Sequence, residues 1–281
     1  MIKTSEIIVN MGPQHPATHG VFRVKLYLDG EVIVKAEPII GYLHRGIEKL
    51  AEHRTYVQFT PIVDRLDYVS APGVSIGWVE AVEKLMGIEV PQRAEYLRVI
   101  LAEFARIASH LTWLGTHALD IGVMTLVFYC FREREYILDI FEMMVGARLT
   151  CHAFRIGGLP ADISDNFIEK VNEFVDIFPK YLDDYHKLLT SNQIWLKRTR
   201  NVGIISAQEA INCGFSGPSL RGSGVAYDVR KDNPYSAYSK FDFVIPTGNT
   251  GDVYDRYLVR MEEMRQSTKI IEQEINSLAP G

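Results

Sequence analysis

Apolar and polar residues alternate from Val21 to Leu28 (VFRVKLYL) and again from Glu31 to Pro38 (EVIVKAEP), with Asp29-Gly30 between them. A period of two marks strands, and an Asp-Gly pair between two such runs is a strong hairpin signal. Residues 5–10 (SEIIVN) read as a further short strand, so the N-terminus is expected to form a small antiparallel sheet. The pattern then turns helical. A short helix is expected from Gly46 to His53, and another segment from Thr55 to Phe59 that ends before Pro61. Ser75 to Leu85 is amphipathic and stops near Gly87. From Pro91 onward, Leu97, Ile100, Leu101, Phe104, Ile107, Ala108, Leu111 and Leu114 recur at spacings of three and four, the stripe of a helix with one buried face. That helix is expected to run to about Asp120, to approach a length of about 40 Å, and to be the spine of the core. Three more helices are expected, over Leu126–Arg148, Asp165–Thr190 and Asp252–Leu278. Residues 200–250 are rich in Gly, Pro and Asn and read as irregular.

The reading is therefore a mainly α fold of α+β type, a long-helix core with a small N-terminal β-sheet. The chain is expected to be one domain over 1–281. Residues 1–40 give the sheet, 41–200 the helical core, 201–250 an irregular part and 251–281 a helix. No Pro/Ser/Gly-rich linker and no repeat divides it.

Between the first two strands lies Met11-Gly12-Pro13-Gln14-His15-Pro16-Ala17-Thr18-His19-Gly20. Two prolines fix φ and remove donors, and two glycines let the backbone turn, so a regular helix is excluded. A stiff loop should hold the two imidazoles in defined places. Stiff loops of this kind often carry functional residues, although a plain connector with two surface histidines fits the same pattern. Val63-Asp64-Arg65-Leu66-Asp67-Tyr68 is dense in charge beside a tyrosine, and by itself reads as a solvated turn. Arg132-Glu133-Arg134-Glu135 alternates in sign, as a solvated helix face does. His110 and His117 lie seven apart on one helix face with no third ligand at hand, a pattern more typical of packed than of metal-bound histidines.

Composition narrows the function. The 281 residues are 47% hydrophobic and 23% charged with net charge −5, which gives no reason to expect nucleic acid. No run of about 18 apolar residues is present, and the segment MIKTSEIIVN is too short and polar for a signal peptide. Cys130, Cys151 and Cys213 are scattered, without a CxxC pair, so neither a disulfide framework nor a metal or iron–sulfur site within this chain is expected, and a reducing compartment fits. HExxH, Ser-His-Asp and dinucleotide-binding signatures are absent. Arg221-Gly222-Ser223-Gly224 has the residue types of a phosphate cradle but not the context of a P-loop. What remains is a loop histidine, a tyrosine and acids at helix ends, groups suited to hydrogen bonding and proton donation to a carbonyl compound.

Seven stretches in order carry a resemblance. They are GPQHPATHG (12–20), GYLHRGIEKLAEHRTYVQ (41–58), DRLDY (64–68), RAEYLRVILAEFARIASHL (93–111), FREREYILDIFE (131–142), RIGG (155–158) and LRGSGVAYDVRK (220–231). Together they resemble the D subunit of NADH:quinone oxidoreductase, respiratory complex I, a family related to the large subunit of nickel–iron hydrogenases. The resemblance implies a hydrogenase-large-subunit-like fold. It also implies an ion-translocating oxidoreductase that is active only when assembled. His19 matches the family's quinone-headgroup histidine, Tyr68 the tyrosine on the other quinone carbonyl, and Asp120 the aspartate that orients that histidine. Arg45 and Arg65 match arginines near an iron–sulfur cluster held by a partner. The implied partners are the cluster-bearing B subunit, the C subunit and a membrane-arm subunit at the quinone entrance. The implied location is peripheral, on the cytoplasmic side of the cell inner membrane. Quinone is the implied substrate, and no metal is implied in this chain. A ferredoxin- or deazaflavin-driven quinone or phenazine oxidoreductase would use an equivalent subunit.

Three departures follow. The hydrogenase cysteine pair is replaced by HRTYVQ (53–58), which removes nickel chemistry. Thr150 stands where the family often has a histidine near the cluster, and His152 is two positions away. The family usually continues roughly a hundred residues beyond Pro280, so the usual C-terminal part is expected to be missing here or made separately.

Overall fold

The structure, a computed structural model, describes residues 7–279. The chain divides into two compact units between Thr55 and Tyr56.

The first unit is the sheet. Strands β1 (Ile7–Met11), β2 (Arg23–Asp29) and β3 (Val32–Ile39) pair antiparallel in sequence order. Met11 lies opposite Val24, and Asp29 opposite Val32, so Gly30 and Glu31 make the tight turn the Asp-Gly pair predicts. A register shift at Tyr27/Leu28 bulges the hairpin. Residues 5 and 6 of the expected first strand lie outside the described residues. Helix α1 (Ile47–Ala51) follows, shorter than the expected 46–53.

The second unit is helical: α2 (Tyr56–Val63), α3 (Ala71–Met86), α4 (Gln92–Ile121), α5 (Thr125–Val145), α6 (Phe167–Leu189), α7 (Gln193–Thr199), α8 (Ala207–Asn212), α9 (Gly217–Gly222), α10 (Val229–Asp232) and α11 (Val253–Ser277). The expected spine is α4, which packs against α3, α5 and α11. Phe104, Ile107, Leu111 and Leu114 of α4 are fully buried with Phe174 and Phe178 of α6 and Met264 and Ile271 of α11. Helices α4 and α5 cross closely at Gly115, where a Cβ would stand 3.2 Å from the Val127 Cα. Among the described residues, no helix is long and apolar enough to cross a membrane.

Three local expectations need correction. Helix α2 does not stop before Pro61 but continues through it to Val63. In so short a helix the ring removes one intrahelical bond only. The helix is held instead by Trp78 of α3, which packs edge-on to Phe59 at 5.0 Å and donates to the Thr60 hydroxyl at 3.1 Å. Second, Arg132–Glu135 is not a wholly solvated face. Glu133 is 0% exposed, and the Arg132 guanidinium covers it, lying over the rings of Tyr129 and Tyr181 at 5.3 and 5.0 Å. Third, the 200–250 stretch is not structureless. It carries α8, α9 and α10, and it delivers Arg221 and Arg230 into the interior.

Those two arginines complete a buried charge network against α4 and α11. Arg230 donates to Glu103 at 3.0 Å and to Asp228 at 2.7 Å. Glu103 also accepts from Tyr238 at 2.6 Å and Ser267 at 2.5 Å. Arg221 donates to Glu263 at 2.8 Å through Nε and to the Tyr227 carbonyl at 2.9 Å, so it is a buried anchor and not a phosphate ligand. Burial alone would raise the Glu103 pKa. The Arg106 and Arg230 charges, with the Ser267 and Tyr238 hydroxyls, overcome it and bring the value to about 2. For Glu263, burial is outweighed by His110 and by the Arg221 and Arg106 charges, again to about 2.

An acid titration should show this. A carboxyl whose folded pKa is depressed contributes stability that is fully present above its unfolded value, roughly 4.3. That contribution is lost as pH falls from there toward 2. Far-ultraviolet circular dichroism is expected to report a cooperative loss of helix within this window. A helix signal that stays level to pH 2 would show that the two carboxylates do not hold the fold.

Candidate functional site

The loop between β1 and β2 is built as a rigid holder. Gly12 sits at φ +89°, and a Cβ there would come within 1.9 Å of the Phe22 carbonyl oxygen, so only glycine lets the two strand ends approach. Arg23 bridges the loop's mouth by donating to Asn10 Oδ1 at 2.7 and 3.0 Å. Pro16–Thr18 forms one turn of 3₁₀ helix, with His15 as its cap: the Ala17 N–H donates to His15 Nδ1 at 3.1 Å. The Thr18 hydroxyl donates to the His15 and Gly20 carbonyls at 2.8 and 3.0 Å. His15 thus uses Nδ1 to fold the loop. His19 follows at φ +46° and ψ +41° and is exposed. The left-handed conformation is uncommon for a residue with a Cβ, and it fixes the direction in which the imidazole leaves the chain. Arg45, exposed, lies in the same unit just before α1.

In the second unit, Tyr68 stands on the turn between α2 and α3. The turn is tied from below by Asp64, a residue whose importance is not legible in the sequence. Asp64 is 1% exposed. Its Oδ1 accepts from the Ser75 hydroxyl and its Oδ2 from the His152 backbone N–H. The Val69 N–H donates to Asp67 Oδ1, and the Ser70 N–H to the Asp67 carbonyl, both at 3.2 Å. On this anchored turn Tyr68 is 53% exposed, and among the described residues its hydroxyl has no hydrogen-bond partner. Arg65 and Leu66 are exposed beside it.

The segment Thr150–His152 shares this corner. Thr150 and His152 both take positive φ, 47° and 49°, with the buried Cys151 between them. His152 Nδ1 is buried without a hydrogen-bond partner among the described residues. Burial holds its imidazole below the ordinary value, the Arg155 and Arg65 charges add to that, and Asp64 opposes them. Arg65 and His152 are therefore neighbours in field.

Asp120 is exposed in the last turn of α4, which Gly122 closes at φ +101°. Its charge acts on His117, one turn back. Burial and the Arg260 charge push that imidazole down, and Asp120 partly opposes them. His117 stacks on Trp113 at 5.0 Å and meets Trp195 edge-on at 5.4 Å. His110 is buried on the same face, with Nε2 2.8 Å from Glu263 Oε2. Both α4 histidines are packed, as their spacing predicts. Tyr68, Arg65, Asp64 and His152 are thus brought together in one corner. Asp120 closes the far end of α4, and His19 and Arg45 belong to the sheet unit. Among the described residues, no group of three or more His, Cys, Asp or Glu side chains is placed to hold a metal ion.

Residues 120–281 match the family described as the 49 Kd subunit of the respiratory-chain NADH dehydrogenase. The whole chain aligns with the NADH-quinone oxidoreductase D subunit of Geotalea uraniireducens at 57% identity, covering 72% of that protein. It aligns with the D 2 subunit of the same enzyme from Solibacter usitatus at 56% identity, covering 76% of it. The D 2 subunit of Chloroflexus aurantiacus is 51% identical over 99% of this chain and 69% of its own length.

Proposed function

This chain belongs to the family of NADH-quinone oxidoreductase D subunits, and from that premise we propose that its own task is to bind a quinone headgroup and give it protons. As one component of an oxidoreductase complex it works with the other subunits of that complex. The observation that carries the proposal is Tyr68, an exposed phenol on a turn that buried carboxylate bonds hold still, with no partner for its hydroxyl among the described residues. An idle donor on a fixed turn is what a carbonyl ligand needs.

A quinone has two opposed carbonyls. Tyr68 donates to one, and His19, on its own rigid loop, donates to the other. Two added electrons make both oxygens basic, and each donor then becomes a proton source. Asp120 orients the histidine and fixes its tautomer, as a carboxylate does for an imidazole. The electrons come from an iron–sulfur cluster in a partner of the B type, because this chain has three scattered cysteines and none paired for a cluster. Arg45 and Arg65 lie toward that cluster, where positive charge favours its reduced state. A partner of the C type and a membrane-arm protein complete the chamber, on the cytoplasmic side of the membrane.

The test is His19→Ala in the assembled complex. Quinone reduction is expected to fall by about a hundred- to a thousandfold. Electron entry, measured with an artificial acceptor that bypasses the quinone, should stay at the wild-type rate. Full quinone reduction in this variant would place the headgroup elsewhere.

A further inference from the structure

Behind the Tyr68 turn is a cavity of about 290 Å³, lined chiefly by Asp67, Ser70, Arg106, Ser109, His110 and Tyr235. Asp67 and Ser70 bracket Tyr68 in the chain and form one wall. His110 forms part of the opposite wall. Three hydroxyls, a carboxylate, a guanidinium and an imidazole give water the partners it needs, and the volume holds several molecules. At its inner end the cavity meets the buried network, since His110 Nε2 is 2.8 Å from Glu263 Oε2 and Arg221 holds the other oxygen of that carboxylate. None of these buried groups is used by the headgroup chemistry above.

We propose that this cavity is a proton inlet and that His110, held by Glu263, hands protons through its water to the Tyr68 phenol. The proposal rests on the reading of Tyr68 as a proton donor. Glu263 takes Nε2–H, which leaves Nδ1 as the nitrogen for cavity water. The groups that act on His110 are Glu263 and Arg260 from α11, Arg106 from α4 and, through Glu263, Arg221 from α9; Asp67 and Tyr235 line the same cavity. Burial lowers the His110 pKa, Glu263 opposes this, and Arg260 and Arg106 add to the lowering, so the imidazole rests neutral with a lone pair on Nδ1.

The steps balance. Quinone takes two electrons from the partner's iron–sulfur cluster and two protons, one from Tyr68 and the other from the His19 imidazole, which takes its replacement from solvent. The Tyr68 O–H breaks as an O–H forms on one quinone oxygen. The phenolate regains its proton from a cavity water. That water is made whole by the Nδ1–H of a His110 imidazolium, whose charge Glu263 balances while it lasts. Before each transfer the neutral His110 takes that proton at Nδ1 from hydronium at the mouth of the cavity, and after the transfer it returns to its neutral resting form.

The experiment uses the assembled complex and a short-chain quinone. His110→Ala should lower quinone reduction about a hundredfold, with electron entry to an artificial acceptor unchanged. Free imidazole, added in increasing amounts, should restore part of the rate, because the deleted ring leaves room beside the cavity. His110→Gln keeps a donor for Glu263 but cannot titrate. It should assemble normally, lose rate to a similar extent and gain nothing from imidazole. A wild-type rate in His110→Gln overturns the inlet, and so does a slow His110→Ala that imidazole leaves unchanged, since His110 would then only pack. Tyr68→Phe, measured beside them, separates the two ideas. If it is slow while both His110 variants are fast, only the inlet fails. If it keeps full rate, the Tyr68 reading fails and the inlet with it.

Discussion

Replacing Tyr68 with phenylalanine is expected to cut quinone reduction in the assembled complex by about a hundred- to a thousandfold, or about 2.7–4 kcal/mol of transition-state stabilisation. The change removes one hydroxyl. That hydroxyl has no partner among the described residues, and the ring is 53% exposed, so folding loses nothing with it. The bonds that shape the turn come from Asp64 and Asp67, not from Tyr68. Loss of rate should therefore come with unchanged assembly and unchanged electron entry. Combined with His19→Ala, the cost should be well below the sum of the two, because both donors serve one headgroup and either loss already spoils its protonation. If the single variant keeps full activity, or the two effects simply add, the two residues do not act on one ligand.

The second large effect is on stability. Arg230→Leu is expected to cost about 3–5 kcal/mol, read as a lower denaturant midpoint, because it removes the buried guanidinium that Glu103 and Asp228 share and leaves Glu103 to Arg106 and Asp228 to Arg221 at 3.7 Å. Arg148→Leu is the control. Arg148 also gathers acids, Glu135, Asp139 and Glu142, but its side chain is 37% exposed and its partners more than half exposed. Water can replace it, and the denaturant midpoint is expected to move little. The two variants lose a similar set of ion pairs and differ in burial. Equal costs would mean that the buried network contributes no more than a surface one.

The two cases also show what a sequence reveals and what it hides. The hairpin was legible because period two and an Asp-Gly turn are local signals. The length of α4 was legible because its stripe repeats along a single helix. The histidine loop was legible in its stiffness, though not in the division of labour by which His15 caps and His19 projects. The buried charges were not legible. Glu103 meets Arg230 at a separation of 127 residues and Ser267 at 164, and no window on the sequence connects them. For the same reason Asp64, joined to His152 across 88 residues, looked like part of a solvated turn. Glu133 looked solvated because its cover, the Arg132 guanidinium, is held over two tyrosine rings, one of them on another helix. Pro61 looked like a stop because the cost of a proline is local, whereas the docking of α2 on Trp78 is tertiary.

The same long separations set a timetable for biosynthesis. The acceptor for His110 is made 153 residues after it. At about 5–20 residues per second, α4 emerges from the ribosome roughly 8–30 s before α11 arrives to take up its charges and cover its apolar stripe. For that interval the nascent helix is an amphipathic rod with carboxylates and guanidiniums on one side and a naked stripe of Leu, Ile and Phe on another. It is a substrate for chaperones until synthesis reaches Glu263, and slowing translation between the two helices lengthens its exposure to aggregation.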